Sequence, residues 1–249
     1  MGMHVVQPRQ RSIVASAPPA GRVGAPMAGH VVPERGYGTG RPHDGGSVDI
    51  AVIGAGNIGG TLGRKWAAAG HAVWFGVRDP SKPGLAEQVA ELGPEVRAVP
   101  VAEAIRAGEV IVFAVPGPAL ESIVQEHAAA LTGRVLIDAS NNMRGESRHA
   151  LASLRAAAPT ASLFRAFNSL GWENLDRPEF DGVRADLFYC GDEAGRQTVE
   201  GLIEDVGLKP VCVGGVDQVG LVEGMTDMWF ALAMRQKLGR RIAFKVLGV

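Results

Sequence analysis

Apolar and polar positions follow one another in blocks that predict strands and helices in regular alternation from residue 48 onward. Short continuous apolar runs indicate buried strands, and apolar residues three and four apart indicate helices. Strands are predicted at 49–53, 72–76, 96–99, 110–115, 135–138, 162–167, 185–190 and 210–213, helices at 57–69, 85–92, 101–106, 119–130, 194–206 and 216–246. Such alternation is typical of a parallel sheet covered on both faces. We therefore predict an α/β fold, a doubly wound Rossmann-type, mainly parallel sheet with a C-terminal α/β and helical extension.

The first 47 residues lack this pattern. They contain nine glycines, six prolines, five arginines and two acids. Because such a composition cannot repay the entropy lost on ordering, we expect 1–47 to be a disordered leader. No apolar segment typical of a signal peptide occurs in it. Residues 48–249 are expected to form a single Rossmann-type domain, with a core at 48–168 and a C-terminal extension at 169–249.

A glycine-rich segment separates the first predicted strand from the first predicted helix. It reads Gly54, Ala55, Gly56, Asn57, Ile58, Gly59. In the Gly-x-Gly-x-x-Gly pattern, the first glycine permits the turn, the second admits a pyrophosphate, and the third allows close packing of helix on strand. The free N–H groups at the helix start would then hold the pyrophosphate charge. These six residues are predicted to bind a dinucleotide.

The end of the second predicted strand indicates which dinucleotide binds. NAD-specific sheets carry a carboxylate there, about 20 residues after the glycines, for the ribose hydroxyls. Here Gly76 and Val77 fill the position, and Arg78, Ser81 and Lys82 follow. A guanidinium can pair with a 2′-phosphate, and a lysine can add a point charge. We therefore predict NADP(H), with Asp79 starting a turn before Pro80; ordinary solvated loop charges are the alternative for Arg78 and Lys82.

Composition narrows the functional classes. A formal net charge of −1 gives no general attraction to nucleic acid or to an anionic membrane. The two cysteines, Cys190 and Cys212, stand in apolar runs and are expected to be buried hydrophobes, as in a reducing cytoplasm. No run reaches the roughly 18 apolar residues of a membrane helix, and no Cys/His cluster suggests a metal site. We expect a cytoplasmic protein whose partner is a small-molecule co-substrate.

Several segments together resemble one known family, the NADPH-dependent reductases of the 8-hydroxy-5-deazaflavin coenzyme (factor 420, F420). The segments are 52–59, 76–78, Phe113-Ala114-Val115-Pro116, Ile137-Asp138-Ala139-Ser140-Asn141 and Arg165-Ala166-Phe167-Asn168. The likeness runs from about residue 48 to at least 230. Individually the motifs are modest, and their order and spacing carry the resemblance.

The resemblance implies a function and further site residues. Arg78, Ser81 and Lys82 would bind the 2′-phosphate, and the residues beside the nicotinamide half would be Val115, Pro116, Asn141 and Asn168. Two departures are Asn142, where the family often has proline, and Val77, where serine or threonine is common. The first would reshape the acceptor pocket and the second would weaken 2′-phosphate binding. The implied reaction is hydride transfer between NADP(H) and the deazaflavin coenzyme as co-substrate.

No side chain stands out as a general acid. His71 and His127 are expected to be structural, while His149 follows the fifth strand and lies near the expected mouth of the site. Tyr189, the only tyrosine after residue 47, has no lysine four positions on. A deazaflavin can delocalise the incoming charge itself, so alignment of two rings would suffice and no catalytic side chain is predicted. Arg144, Arg148 or Arg165 could offset charge on the acceptor, with ordinary surface arginines as the alternative.

The C-terminal segment carries an apolar stripe at helical spacing. Core packing explains it best, and a lid over the deazaflavin or a homodimer interface are the alternatives. The members of the stripe are Val219, Val222, Met225, Trp229, Leu232 and Met234. Two other functions stay open from the sequence: an NADPH-binding sensor or regulatory module without turnover, and a flavin or ferric reductase.

Overall fold

The computed structural model describes residues 46–143, 145 and 147–248, which lie in one compact unit. The predicted leader, 1–47, falls outside the described residues except for its last two. Among the described residues the strands are β1 (Asp49–Ile53), β2 (Ala72–Val77), β3 (Val96–Pro100), β4 (Val110–Phe113), β5 (Val135–Asp138), β6 (Ser162–Arg165), β7 (Glu179–Phe180), β8 (Val183–Arg184), β9 (Asp186–Gly191) and β10 (Lys209–Cys212).

Helices connect these strands. They are α1 (Asn57–Ala68), α2 (Leu85–Glu91), α3 (Val101–Ala107), α4 (Gly117–Leu131), α5 (Leu151–Ala157), α6 (Trp172–Asp176), α7 (Arg196–Val206) and α8 (Val219–Phe230). A 3-10 turn at Val216–Gln218 precedes α8, and a π-helix at Ala231–Arg235 follows it.

Eight strands form one sheet in the order β10-β9-β6-β5-β4-β1-β2-β3, and β7 with β8 forms a separate hairpin. All neighbours in the large sheet are parallel except β6 and β9. The strand order reverses between β1 and β4, and ligands of open α/β sheets bind at such a reversal, outside the carboxyl ends of the strands. The predicted doubly wound, mainly parallel fold is confirmed.

Two apolar clusters, one on each face of the sheet, form the core. On one face, α1 and α7 pack against each other, and the indole Nε1 of Trp66 in α1 donates to the carbonyl of Leu202 in α7 at 2.9 Å. On the other face, α3, α4 and α5 cover the central strands with residues such as Ile105, Leu120 and Leu154. Burial on both faces explains why the strands read as continuous apolar runs.

The tail differs from the prediction. Helix was expected over 216–246, but α8 ends at Phe230 and the π-helix ends at Arg235. Beyond it the chain is held by polar contacts instead: Trp229 Nε1 donates to the Ile242 carbonyl at 3.0 Å, and Asp186 pairs with Phe244 as an isolated bridge. Helical spacing in the sequence could not reveal these long-range contacts. The sequence also did not predict α5, although it is as long as α2 and α3. Helix α6 and the β7–β8 hairpin were missed because each element has five residues or fewer.

Candidate active site

The glycine-rich turn between β1 and α1 has the geometry that its sequence predicts. Gly54 has φ +100°, and a Cβ there would lie 2.7 Å from the carbonyl oxygen of Ala114. A Cβ on Gly59 would lie 2.0 Å from the Gly54 oxygen. Neither position can hold a side chain, because the turn packs directly on its own helix and on the chain that leaves β4.

The N-terminus of α1 is left open. Gly56 is exposed, and a Cβ at this position would meet nothing within 4 Å. No side chain caps the helix, and its first turn contains no acidic residue. The free N–H groups and the positive end of the helix dipole therefore face open space, which suits an anionic group such as a pyrophosphate. On this observation the residues present fit a dinucleotide.

A cavity of about 390 Å³ lies between the end of β2 and helices α3 and α4. Arg78 stands at its edge, and Val77, Val101 and Ile123 provide apolar wall. Arg78 and Lys82 are exposed, and neither forms an ion pair with a residue that the structure describes. The cavity thus combines an apolar wall with a free guanidinium, as a nucleoside bearing a phosphate requires.

Asp79 is occupied by the local turn. Its Oδ1 accepts hydrogen bonds from the backbone N–H of Ser81 at 3.0 Å and from the Ser81 hydroxyl at 2.6 Å. These two bonds hold the pKa of Asp79 below its ordinary value. Asp79 therefore starts the turn, as the sequence indicates, but the same turn engages the hydroxyl hydrogen of Ser81. A phosphate contact of Ser81 would have to compete with Asp79.

The loops after β4 and β5 lie beside the glycine turn. A Cβ on Gly54 would come within 2.9 Å of Val115 Cγ1, and Pro116 is the N-cap residue of α4. The side chain of Asn142 packs on Gly117, where a Cβ would lie 2.4 Å from Asn142 Cβ. Asn142, one of the two departures from the family pattern, thus fills space against the start of α4.

Arg165 is fully buried at the end of β6, although the sequence allowed a surface arginine. Its Nε donates to Glu223 Oε1 at 2.7 Å, and its Nη1 donates to Asp138 Oδ1 at 3.1 Å and to the Ser140 carbonyl at 2.6 Å. Its Nη2 donates to Asn141 Oδ1 at 3.2 Å. A buried guanidinium needs such paired charges and acceptors, because an unpaired one would be very costly. Arg165 therefore joins the loop after β5 to helix α8.

Asn141 and Asn168 meet in this network. The Asn141 Nδ2 donates to the backbone carbonyl of Asn168 at 3.1 Å. Between Arg165 and Asn168 the chain turns at Phe167, which has φ +62° and packs edge-on against Trp66 at 5.7 Å between ring centroids. A left-handed phenylalanine is a strained conformation that occurs more often near functional sites. The left-handed turn also explains why β6 ends at Arg165, whereas the sequence predicted a strand that continues to Phe167.

Three buried polar atoms in this region lack a hydrogen-bond partner among the described residues: the acceptors Asn168 Oδ1 and Glu223 Oε2, and the donor Arg148 Nη1, whose Nη2 pairs with Asp227 of α8. Asn168 is 3 % exposed. Buried acceptors are nearly always satisfied in folded proteins. Their presence at the carboxyl end of the sheet, where a ligand is expected, marks the place where a bound group would supply donors.

The three histidines of the described residues lie in different surroundings. His71 precedes β2, where its Nδ1 accepts from the Val48 N–H at 3.1 Å and its Nε2 lies 3.0 Å from Asp205 Oδ2, so its role is structural. His127 lies within α4 and lines the cavity near Arg78. His149 lies near the buried arginine network; burial and the charge of Arg165 lower its pKa.

Other titratable groups are unsuited to proton transfer at the site. The Tyr189 hydroxyl donates to Glu200, and burial together with this carboxylate raises its pKa far above the ordinary value. Burial also raises the pKa of the Cys190 thiol to about 11, while Cys212 is half-buried. Arg148 pairs with Asp227 of α8 at 2.6 Å. Arg144 lies outside the described residues.

The sequence did not reveal the contribution of α8. Glu223 and Thr226 lie among the apolar residues of the stripe. Their spacing of three places both on the side of the helix that carries Val222, and this spacing was the only signal in the sequence for a shared role.

Among the residues described, no group of three or more His, Cys, Asp or Glu side chains could hold a metal ion. Within the same residues, no helix is long and apolar enough to cross a bilayer.

Residues 49–142 match the model of a protein family described as NADP oxidoreductase, coenzyme F420-dependent. This segment contains β1 to β5 and therefore the glycine turn, the cavity at Arg78 and Asn141. It ends before Arg165 and Asn168.

Two curated relatives are glycerol-3-phosphate dehydrogenases. The chain is 27% identical over 167 residues to glycerol-3-phosphate dehydrogenase (NAD(P)+) of Azotobacter vinelandii, which covers 62% of this chain and 48% of the relative. It is 30% identical over 108 residues to the enzyme of the same name from Pseudomonas syringae pv. syringae, over 39% of this chain and 32% of the relative. The matches thus span about half or less of these relatives.

Solved structures share the fold. A proposed F420-dependent NADP reductase from Arthrobacter sp. FB24 superposes with a TM-score of 0.70 at 21% identity, over 81% of this chain and 100% of that one. An imine reductase from Bacillus cereus BAG3X2 superposes with a TM-score of 0.56 at 20% identity, over 76% of this chain and 62% of that one. A 3-hydroxyisobutyrate dehydrogenase from Mycobacterium tuberculosis superposes with a TM-score of 0.55 at 19% identity, over 78% of this chain and 67% of that one. At these identities the likeness concerns the fold.

The strand order, the open glycine turn and these matches agree with one another. The chain has the Rossmann-type fold of NAD(P)-dependent oxidoreductases, and its residues 49–142 match the F420-dependent NADP oxidoreductase family.

Proposed function

We propose that this protein is an NADP(H)-dependent oxidoreductase that transfers a hydride between the nicotinamide and the 8-hydroxy-5-deazaflavin coenzyme, F420. The observation that carries the proposal is the match of residues 49–142 to a family described by that pair of coenzymes. The open cradle at Gly56 and the free guanidinium at the Arg78 cavity support the dinucleotide half of the proposal.

The adenosine half would be held at the β1–β2 side. The N–H groups at the start of α1 take the pyrophosphate, and Arg78 and Lys82 take the 2′-phosphate. Apolar residues of the cavity, such as Val101 and Ile123, offer a surface for the adenine. Since no carboxylate stands at the end of β2, nothing there favours the free ribose hydroxyls of NAD.

The nicotinamide half would extend across the ends of β4, β5 and β6. Val115 and Pro116 lie on one side, and Asn141 and Asn168 are held in place by Arg165. When bound, NADPH supplies the hydride. The protein's task is to hold two rings with their reacting atoms about 3–3.5 Å apart and to exclude water.

His149 favours a second candidate function, the reduction of a small carbonyl or imine compound. It lies close enough to Arg165, Glu223 and Asp138 for their charges to shift its pKa. A group at that place could donate a proton to an alkoxide or an amine. Burial and Arg165 lower its pKa, however, which leaves the ring neutral near pH 7 and makes it a poor acid there.

An acceptor panel tests the proposal. NADPH or NADH is mixed with the protein and, separately, with the deazaflavin coenzyme, FMN, a ferric chelate and a cyclic imine, while the nicotinamide band and the acceptor band are followed together. We expect NADPH oxidation to match deazaflavin reduction one for one, with far slower turnover of the other acceptors. Turnover with flavin, iron or imine alone would overturn the proposal, and so would NADPH binding without any turnover, which defines a sensor or regulatory module.

A further inference from the structure

Two unpartnered acceptors stand side by side beneath α8. Asn168 Nδ2 lies 3.4 Å from Glu223 Oε1, so the two side chains are neighbours, and neither the amide oxygen Asn168 Oδ1 nor the second carboxylate oxygen Glu223 Oε2 has a donor among the described residues. The Asn168 residue is 3 % exposed and the Glu223 side chain is 16 % exposed. Both oxygens are therefore largely withdrawn from solvent.

The orientation of the Asn168 amide follows from its neighbours. The Thr226 hydroxyl donates to the Val222 carbonyl one turn earlier, at 3.2 Å, so its oxygen is free to accept from Asn168 Nδ2 at 2.9 Å. The reversed amide would place its oxygen against the Thr226 oxygen, whose hydrogen is already engaged. Asn168 Oδ1 is consequently the atom that faces away from α8 without a donor.

Glu223 is held in a similar way. Its Oε1 accepts from Arg165 Nε at 2.7 Å and from Asn168, which leaves Oε2 as the free oxygen. A buried acceptor without a donor destabilises a folded protein. Asn168 Oδ1 and Glu223 Oε2 are two such acceptors on neighbouring side chains, and Arg165 fixes the position of Glu223. A ligand that donates two hydrogens would satisfy both.

We propose that Asn168 Oδ1 and Glu223 Oε2 form a clamp for the NH2 group of the nicotinamide carboxamide, with Glu223 as a positioning residue. This inference rests on the proposed function. A primary amide presents two N–H donors that diverge from one nitrogen, which matches two separate acceptors. The clamp sets the orientation of the ring about its glycosidic bond and thereby the face that meets the acceptor.

The test uses three ligands and equilibrium binding. NADP+ carries the carboxamide, the 3-acetylpyridine analogue of NADP+ replaces its NH2 by a methyl group, and ADP-ribose 2′-phosphate lacks the ring. We expect the native protein to bind NADP+ about tenfold more tightly than the analogue, as loss of donors to a buried carboxylate implies. Glu223→Gln keeps the size and the Oε1 contacts but turns a donor toward the NH2, so it should remove most of this preference.

A matched variant and the fragment separate the outcomes. Asp217→Asn makes the same chemical change at an exposed carboxylate just before α8 and should retain the preference. ADP-ribose 2′-phosphate should bind the native protein and Glu223→Gln equally. Equal affinities of the native protein for NADP+ and the analogue would overturn the clamp, even where Glu223→Gln fails to fold. Failure of the fragment to bind the native protein would instead overturn the proposed cofactor.

Discussion

The two ends of the candidate site are built in opposite ways. At the β2 end, Arg78 and Lys82 are exposed and have no partner among the described residues, next to an open cavity. At the β6 end, Arg165 is fully buried and binds Asp138, Ser140, Asn141 and Glu223. An exposed charge is free to meet a ligand, whereas a buried one must be paired within the protein. Under the proposed function, Arg78 selects the ligand and Arg165 positions the groups that surround it.

The largest expected effect is at the buried end. Arg165→Leu leaves Asp138 and Glu223 without their common partner, and breaking a buried pair in this way costs about 3–5 kcal/mol. For a domain of this size the melting temperature should fall by roughly 2–4 °C per kcal/mol. The measurement is thermal or denaturant unfolding.

Arg64→Leu is the matched control for this change. Arg64 pairs with Asp176 on the surface, with side chains 46% and 32% exposed. Such a pair contributes about 0–1 kcal/mol. If both variants lose the same stability, the proposed contrast between buried and exposed arginines is wrong.

The next largest effect is expected at Gly56, in the glycine-rich turn at the start of α1. A Cβ at Gly56 meets no protein atom, so Gly56→Val should fold normally. Its side chain would occupy the space proposed for the pyrophosphate, and NADP+ affinity should fall about 100-fold, or roughly 2.7 kcal/mol. An NADP+ titration of the variant checks the loss of affinity, and its melting temperature, which should equal that of the native protein, checks that it folds. Unchanged affinity would place the dinucleotide elsewhere.

A smaller effect is expected at the exposed end. Arg78→Ala removes a charge-assisted phosphate contact worth roughly 1.5–3 kcal/mol, about tenfold or more in NADP+ affinity. Affinity for NAD+ should barely change, since the ligand lacks the 2′-phosphate. Arg106→Ala, an exposed arginine at the other end of α3, serves as control. Native affinities that are equal for the two dinucleotides would contradict the assignment of NADP(H).

These two ends also differ in how well the sequence predicts them. The glycine turn, the place of Arg78 after β2 and the mainly parallel sheet follow from local patterns, because a turn that admits a phosphate needs glycines at fixed spacing and buried parallel strands need continuous apolar runs. Arg165 resembles a surface residue in the sequence, since its partners Asp138 and Glu223 lie 27 and 58 positions away. The left-handed turn at Phe167 and the irregular tail after Arg235 are likewise set by tertiary contacts. Local patterns cannot show such contacts.

The smallest effect is expected at His149. His149→Ala should lower single-turnover hydride transfer by less than the roughly 100-fold typical of losing a general acid. Because burial and Arg165 hold the pKa of His149 below its ordinary 6.5, the ring stays neutral and the rate should be nearly flat between pH 6.5 and 8. The folded protein resists protonation that the unfolded chain accepts, so the contribution of this group to stability is lost as pH falls below 6.5. A bell-shaped rate profile abolished by His149→Ala would identify a carbonyl or imine reductase instead.

A crystal structure of the protein with NADP+ tests the central claim most directly, because it locates both halves of the dinucleotide at once. The account predicts the 2′-phosphate within hydrogen-bond distance of Arg78, the pyrophosphate at the start of α1, and the carboxamide nitrogen between Asn168 Oδ1 and Glu223 Oε2. A dinucleotide bound with its phosphate away from Arg78, or with its nicotinamide outside the ends of β4 to β6, would contradict it.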